Sequence, residues 1–358
     1  MLTIMPTARS FVTRSLALRS LCCLIVGITG GVLAAESWAK QTLMANNPAL
    51  QLLSQLPQVP QPTCQGGKSG QVTQRGRSQS EFLVLGGGGA PSYNEIAIEK
   101  NVLYFQRTLK ALGLQPSLAR ILFANGNDGR ATVRYLDSAG KERFKAPNIP
   151  NIQGAATVAN FQTAMQQVSR DRQALFFYFT GHGSHNKRNE NNNAMILWNE
   201  QFVDVQQFTQ MLDRLPPEKP VVTVMVQCYS GSFANLIYQK GDPKRPVALH
   251  NRCGFFATVK ELPSVGCTPE VNEADYEDYS SSFFAGLSGT NRVGKKVVSA
   301  DYDRNGRVSF REAHAFAKID EQASDLPVST SEVWLQEQLS KGELEGILRR
   351  PIQTGLGS

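Results

Sequence analysis

Histidine and cysteine are scarce in this sequence. Four histidines and six cysteines in 358 residues leave few candidates for chemistry built on an imidazole or a thiol, so each can be weighed singly. Long apolar runs are missing too. The stretch from Leu21 to Leu33 is too short for a comfortable membrane span, and no second run of spanning length follows it. No internal repeat is present, which sets repeat arrays aside. What is there is ordinary: an apolar fraction of 41% suits a chain that buries a real core, and neither a fibrous nor a wholly disordered protein is indicated.

Acidic residues are absent from the first 34 positions, where Arg9, Arg14 and Arg19 precede the apolar run and small residues surround Ala34 and Ala35. That layout predicts a secretory signal peptide over residues 1–34, with Val32 and Ala34 suiting the cleavage rule. A retained single-helix anchor is the alternative. The expected location is periplasmic or extracellular, with no membrane contact after cleavage. Removing the three arginines takes the formal charge from +7 to +4, an unremarkable balance, so no nucleic-acid partner is read from it. Four cysteines then remain: Cys64, Cys228, Cys253 and Cys267. In an oxidising compartment a pair is expected to cross-link, and Cys253 with Cys267 is the pair nearest in sequence. A functional thiol must escape that fate.

Residues 35–79 are rich in Gln, Pro, Gly and Ser and read as a disordered linker or removable pro-segment. Order is expected from Phe82-Leu83-Val84-Leu85, a short apolar strand. Ile98, Val102, Phe105, Leu109 and Leu112 then mark one face of a helix. The alternation repeats: a strand at Ile121 to Phe123, a helix at Val158 to Val168, and a strand at Leu175 to Phe179. A helix through Val205, Phe208, Leu212 and Leu215, capped by Asp204, follows, then strands at Val221 to Val226 and Phe255 to Val259. Strands apolar on nearly every residue are buried on both faces. The expected fold class is α/β, a mostly parallel sheet between helix layers in an α/β/α sandwich. Its domain spans 80–322, and 323–358 form a partly helical tail. Ligands in such folds sit at the carboxyl ends of the strands.

Two strands end on reactive side chains. Phe177-Tyr178-Phe179-Thr180-Gly181-His182-Gly183-Ser184 stops at an imidazole, and Val224-Met225-Val226-Gln227-Cys228-Tyr229-Ser230-Gly231 at a thiol. A thiolate is the nucleophilic form of cysteine, and a nearby imidazole and the start of a following helix both favour it; Phe233, Leu236 and Ile237 point to a helix that begins shortly after Cys228. The N–H groups of Gly183 and Cys228 are candidate donors to an oxyanion. Taken singly, Cys228 also reads as core and His182 as a turn residue.

The paired motifs resemble those of clan CD cysteine peptidases, the clan of legumains, caspases, metacaspases and gingipains, over roughly Glu81 to Lys318. The Thr-Gly-His-Gly-Ser and Cys-Tyr-Ser-Gly-Ser wording is closest to the legumain branch and to bacterial caspase-like proteins. The resemblance implies a caspase/haemoglobinase-like fold and a cysteine endopeptidase acting on a peptide or protein, with no cofactor in the chemistry. It implies Cys228 as nucleophile, His182 as general base and Asn94 as the residue that orients His182. It further implies Asp278 as an acidic pocket residue and Tyr229 in place of the legumain acid beside the nucleophile. Ile96 and Ala97 stand where legumains carry an Arg-His pair, and Gly181 where they carry Asp, so asparaginyl specificity is not expected.

A second signal lies in Asp301-Tyr302-Asp303-Arg304-Asn305-Gly306-Arg307-Val308-Ser309-Phe310-Arg311-Glu312, which has the ligand spacing of an EF-hand loop. Asp301, Asp303, Asn305 and Glu312 offer side-chain oxygens, Arg307 its carbonyl and Ser309 a water-mediated contact. Lys296 to Ser299 before it reads as a strand, so a single structural Ca2+ loop is expected, or an acidic helix cap without metal. Two alternatives to a peptidase remain open at this level: a catalytically inactive calcium-binding interaction domain on the same fold, and a zinc hydrolase built on His182, His185 and Cys228.

Overall fold

The computed structural model describes residues 80–270, 272–274, 276–320, 323–338 and Gly342. The expected signal peptide and linker, 1–34 and 35–79, lie outside the described residues, as does most of the tail beyond 338.

The expected parallel core forms. Strands β1 (Glu81–Gly87), β2 (Ala119–Phe123), β5 (Ile152–Gly154), β6 (Leu175–Gly181), β10 (Val221–Met225) and β11 (Arg252–Phe256) run parallel, and β12 (Val328–Ser329) adds an antiparallel edge. Their order across the seven-stranded sheet is β12-β11-β10-β6-β1-β2-β5. From β1 the chain first builds towards β2 and β5, then returns to lay β6 on the other side of β1. The switch point is therefore the β1/β6 seam.

Helices cover both faces because both faces are apolar. On one side α1 (Ile96–Ala111), α4 (Tyr279–Ser288) and α5 (Phe310–Asp320) pack Val102, Phe105, Phe284, Ala313 and Ala317 against Val84, Tyr178 and Phe255. On the other, α2 (Val158–Gln166) and α3 (Val205–Leu212) set Phe161, Met165 and Phe208 on Leu85 and Phe177. Each fully buried Phe is worth about 1.5–3 kcal/mol. Asp204 caps α3 as expected, in a capping box with Gln207. Two hairpins decorate this frame: β3 (Val133–Leu136) with β4 (Glu142–Lys145), and β8 (Ala194–Leu197) with β9 (Gln201–Asp204), the latter extended by β7 (Gly183–Ser184).

Three expectations are corrected. The helix expected after Cys228 is a buried 3-10 helix, Ser230–Ile237, entered through Tyr229 in the left-handed region at φ 60°. Lys296 to Ser299 is not a strand; it makes one isolated bridge, Thr290 to Lys296. The domain also runs past residue 322. Val328 pairs with Phe256, and Val333 and Trp334 of α6 (Thr330–Gln338) pack on the core. A two-residue strand and a weakly amphipathic helix give no periodic signal, so this closing edge was invisible in sequence.

Candidate active site

The strand register brings the two reactive motifs together. β6 and β10 are parallel neighbours with Phe179 opposite Met225, and His182 and Cys228 each stand three residues beyond that rung. Both therefore emerge at the carboxyl edge of the sheet, beside the switch point. Gly183 locks the two loops: a Cβ there would lie 2.0 Å from the Cys228 carbonyl oxygen and 2.9 Å from Gln227 Cγ, so only glycine fits. Gln227 itself is fully buried, with neither amide atom hydrogen-bonded.

The imidazole is held by Glu95. Its Oε2 lies 2.9 Å from His182 Nε2, and its Oε1 accepts from Arg134 Nη2 at 2.8 Å. Burial would push the Glu95 carboxyl up, but His182 and Arg134 outweigh it and hold the group below its usual value. Tyr93 packs edge-on to the His182 ring at 5.3 Å between centroids. Asn94, expected to orient His182, does something else. Its Oδ1 accepts from Gly88 N at 3.0 Å, its Nδ2 donates to Thr132 O at 3.2 Å, and it is fully buried. Asn94 thus ties the loop after β1 to β3 and fixes the backbone that presents Glu95, one residue on. Glu95, and not Asn94, is the side chain of this turn that contacts His182.

A loop folds over Cys228. The thiol donates to Ser264 O at 3.5 Å, and Tyr229 N donates to Leu262 O at 2.9 Å. Burial pushes the Cys228 thiol above its ordinary value and the nearby Asp325 carboxylate adds to this, while backbone hydrogen bonds from Ser264, Cys228 itself and Gly183 oppose it. Asp325 secures the loop: Ser264 Oγ donates to it at 2.8 Å and Val265 N at 3.0 Å. With no ion pair among the described residues, its carboxyl is pushed up to about 6, first by burial.

Because the folded value lies above the unfolded one, Asp325 favours folding at low pH, and that contribution is lost as pH rises through about 6. Asp325→Asn should therefore gain stability relative to wild type between about pH 4 and 6, the gain holding constant above, on the order of 2 kcal/mol. Thermal melts across that range read it out. Iodoacetamide should also label Cys228 faster at neutral pH in this variant. Equal labelling rates would disconnect Asp325 from the thiol.

The two weaker pocket assignments change meaning. Asp278 is 2% exposed and caps α4 through Ser281 N, while Asn101 Nδ2 donates to it at 2.7 Å and Arg292 pairs with it at 3.2 Å. Burial alone would raise its carboxyl; Arg292, Ser281 and Ser280 outweigh that and hold it low. An anion already neutralised by a buried guanidinium is not free to receive a basic side chain. Tyr229 stacks on His185, 4.6 Å between centroids, and His185 Nε2 faces Glu190 at 3.2 Å. His185 and Cys228 do not join His182 in a common metal-donor cluster among the described residues, which removes the zinc set read from sequence.

The expected Cys253–Cys267 pairing fails as well. Cys253 is disulfide-bonded, whereas Cys267 is a free thiol. Cys253 shares a rung with Val222 and Phe176 near the start of the sheet, whereas Cys267 donates to the carbonyl of Gly181, the last residue of β6. Five residues of strand, about 16 Å, separate Phe176 from Gly181, and a disulfide tolerates Cα atoms at most about 7 Å apart. Nearness in sequence misleads when a loop carries the chain to the other edge of the sheet.

The acidic loop draws its carboxylates together. Carboxylate oxygens of Asp301, Asp303 and Glu312 lie within 4.8 Å of one another. Asp301 accepts from Asn305 N and Gly306 N, and Glu312 from Tyr302 N and Ser309 N. Gly306 takes φ +83°, the turn an EF-hand loop needs at this position. Asn305 Oδ1 accepts from Arg307 N at 3.0 Å.

No protein-family model matches the chain, and no curated protein does. Among solved structures, it is similar to the crystal structure of protein GSU0716 from Geobacter sulfurreducens, at 10% identity and a TM-score of 0.41, over 70% of this chain and 92% of that one. The chain has the α/β class, a mostly parallel seven-stranded sheet between helix layers. No helix among the described residues is long and apolar enough to cross a membrane.

Proposed function

We propose that the chain is a cysteine endopeptidase of the caspase/legumain type, with Cys228 as nucleophile and His182 as general acid and base. The observation that carries this reading is the pairing of β6 with β10, which sets His182 and Cys228 on adjacent strand ends with Gly183 wedged against the Cys228 backbone. The family resemblance of the two motifs supports the same reading. With Glu95 engaged at Nε2, Nδ1 of His182 is the nitrogen left to exchange a proton. In the proposed cycle the Cys228 proton passes to His182 and the sulfur attacks a peptide carbonyl. The N–H groups of Gly183 and Cys228 receive the oxyanion, His182 protonates the leaving amine, and a water activated by His182 releases the acid. A mixed peptide library, cleaved by wild type and left intact by Cys228→Ala, tests the proposal; cleavage that survives the substitution overturns it.

The loop from Asp301 to Glu312 is proposed as a structural Ca2+ site. Calcium at a hundred times its dissociation constant should stabilise the domain by about 2.7 kcal/mol, a melting shift on the order of 5–10 °C. Asp301→Ala should remove the shift. A melting point indifferent to calcium in wild type would favour the loop as a plain helix cap. An exported location for the chain is proposed from its N-terminal arginines and apolar run.

A further inference from the structure

A second set of donors surrounds His182. Carboxylate, imidazole and thiol atoms of Glu95, His182 and Cys267 all lie within 4.8 Å of one another. The three arrive from different parts of the chain: Glu95 from the start of α1, His182 from the end of β6, and Cys267 from the loop covering Cys228. Cys267 has no disulfide partner, is accessible to solvent, and donates only a long contact of 3.7 Å to Gly181 O.

We propose that Glu95, His182 and Cys267 form a site for a thiophilic divalent cation, zinc, whose binding reversibly shuts off the chemistry at His182. A set of one sulfur, one nitrogen and one oxygen suits zinc and disfavours calcium or magnesium, which take oxygen alone. Tetrahedral zinc bonds of about 2.0–2.3 Å put ligand atoms about 3.3–3.6 Å apart, within side-chain adjustment of the observed cluster. Glu95 Oε2, which now lies 2.9 Å from His182 Nε2, and one ring nitrogen of His182 would share the ion, while Oε1 keeps its Arg134 partner. Three protein ligands leave the fourth position to water.

Binding one ion expels the Cys267 proton, and the imidazole keeps its single proton on whichever nitrogen the metal does not take. Either choice disables the base. At Nδ1 the metal occupies the lone pair that would take the Cys228 proton; at Nε2 it replaces the hydrogen bond that orients the ring. The inhibition rests on the peptidase reading, whereas the binding does not.

The test uses the purified chain in excess calcium, which fills the oxygen-only loop, with Co2+ as a spectroscopic substitute for Zn2+. One equivalent of Co2+ should produce visible bands of a low-coordinate ion together with a thiolate-to-metal band in the near ultraviolet, and Zn2+ should bleach both. The near-ultraviolet band should survive Cys228→Ala and vanish in Cys267→Ser, and Glu95→Gln should weaken Co2+ affinity at least tenfold. In wild type, Zn2+ should protect Cys267 from alkylation, read by peptide mass mapping, which covers the case of a variant that does not fold. Absence of the band in wild type, its persistence in Cys267→Ser, or its loss in Cys228→Ala overturns the site. Where peptide cleavage is found, Zn2+ should suppress it, a chelator should restore it, and Cys267→Ser should raise the inhibiting concentration at least tenfold. Unchanged inhibition in that variant overturns the switch. A cobalt band in a protein that cleaves no peptide leaves the metal site standing and sinks the peptidase reading alone.

Discussion

Asp278→Ala is expected to destabilise the domain by about 3–5 kcal/mol, out of the 5–15 kcal/mol that typically holds a protein folded. The substitution strands Arg292, whose side chain is 4% exposed and whose guanidinium lies over the rings of Tyr104 at 4.9 Å and Tyr276 at 4.4 Å. Among the described residues, Asp278 is the carboxylate that pairs with Arg292. The same carboxylate caps α4, accepts from Asn101 on α1, and meets Tyr276, whose hydroxyl donates to Gly266 O in the loop that bears Cys267. One residue thus joins two helices to the site loop. A melting temperature lowered by on the order of 10 °C is the readout. Asp278→Asn combined with Arg292→Gln should cost less than the sum of the two single changes, because each alone leaves a buried partner unanswered. If Asp278 were a free pocket anion, Asp278→Ala would instead change the preference for the residue before the cleaved bond and leave stability intact.

The pH dependence has two opposite limbs. Asp278 is held low in the folded state, so its contribution is present above the unfolded value and begins to be lost as pH falls below about 4. Asp325 is held high, so its contribution goes the other way and is lost as pH rises towards about 6. Wild-type stability should therefore peak on the acidic side of neutrality. Asp325→Asn should flatten only the upper limb. Both carboxylates are buried beside the loop over Cys228, and the sign of each shift follows from whether a guanidinium stands next to it.

Much of the sheet was legible because buried parallel strands write themselves as continuous apolar runs. Leu83 to Leu85, Leu175 to Phe179 and Val221 to Met225 are all of that kind. The meeting of His182 and Cys228 at one sheet edge was legible for the same reason, since a residue just past such a run must fall on the carboxyl edge. What escaped were relations fixed by long-range contact. Glu95 carries no signal in its neighbourhood of sequence, and only the approach of β3, bringing Arg134, together with β6, bringing His182, reveals it as buried and doubly engaged. Cys267 and Asp325 lie in loops without periodicity, so nothing in their neighbourhoods marked them as facing the site.

Glu95 and Asn94 differ in what their loss should do, and the contrast tests the corrected site. Glu95→Gln replaces the charged hydrogen bond to His182 by a neutral one of similar length and volume. On a peptide that the wild type cleaves, kcat should fall about 10²–10⁴-fold, the range general acid and base catalysis supplies, with KM little changed. Glu95 touches no reacting atom in the proposed cycle; it acts by holding the ring, so substrate binding should be spared. Asn94→Ala leaves the buried Gly88 N–H and the Thr132 carbonyl without their partner, a loss of about 1–3 kcal/mol. Its kcat per folded molecule should change far less than that of Glu95→Gln, while its melting point drops further. The reverse pattern, with catalysis lost in Asn94→Ala and kept in Glu95→Gln, would return the orienting role to Asn94. It would also mean that the ring turns away from Glu95 when substrate binds. Turnover and melting measured on the same two samples decide between them, because the hydrogen bonds at stake involve different atoms of adjacent residues.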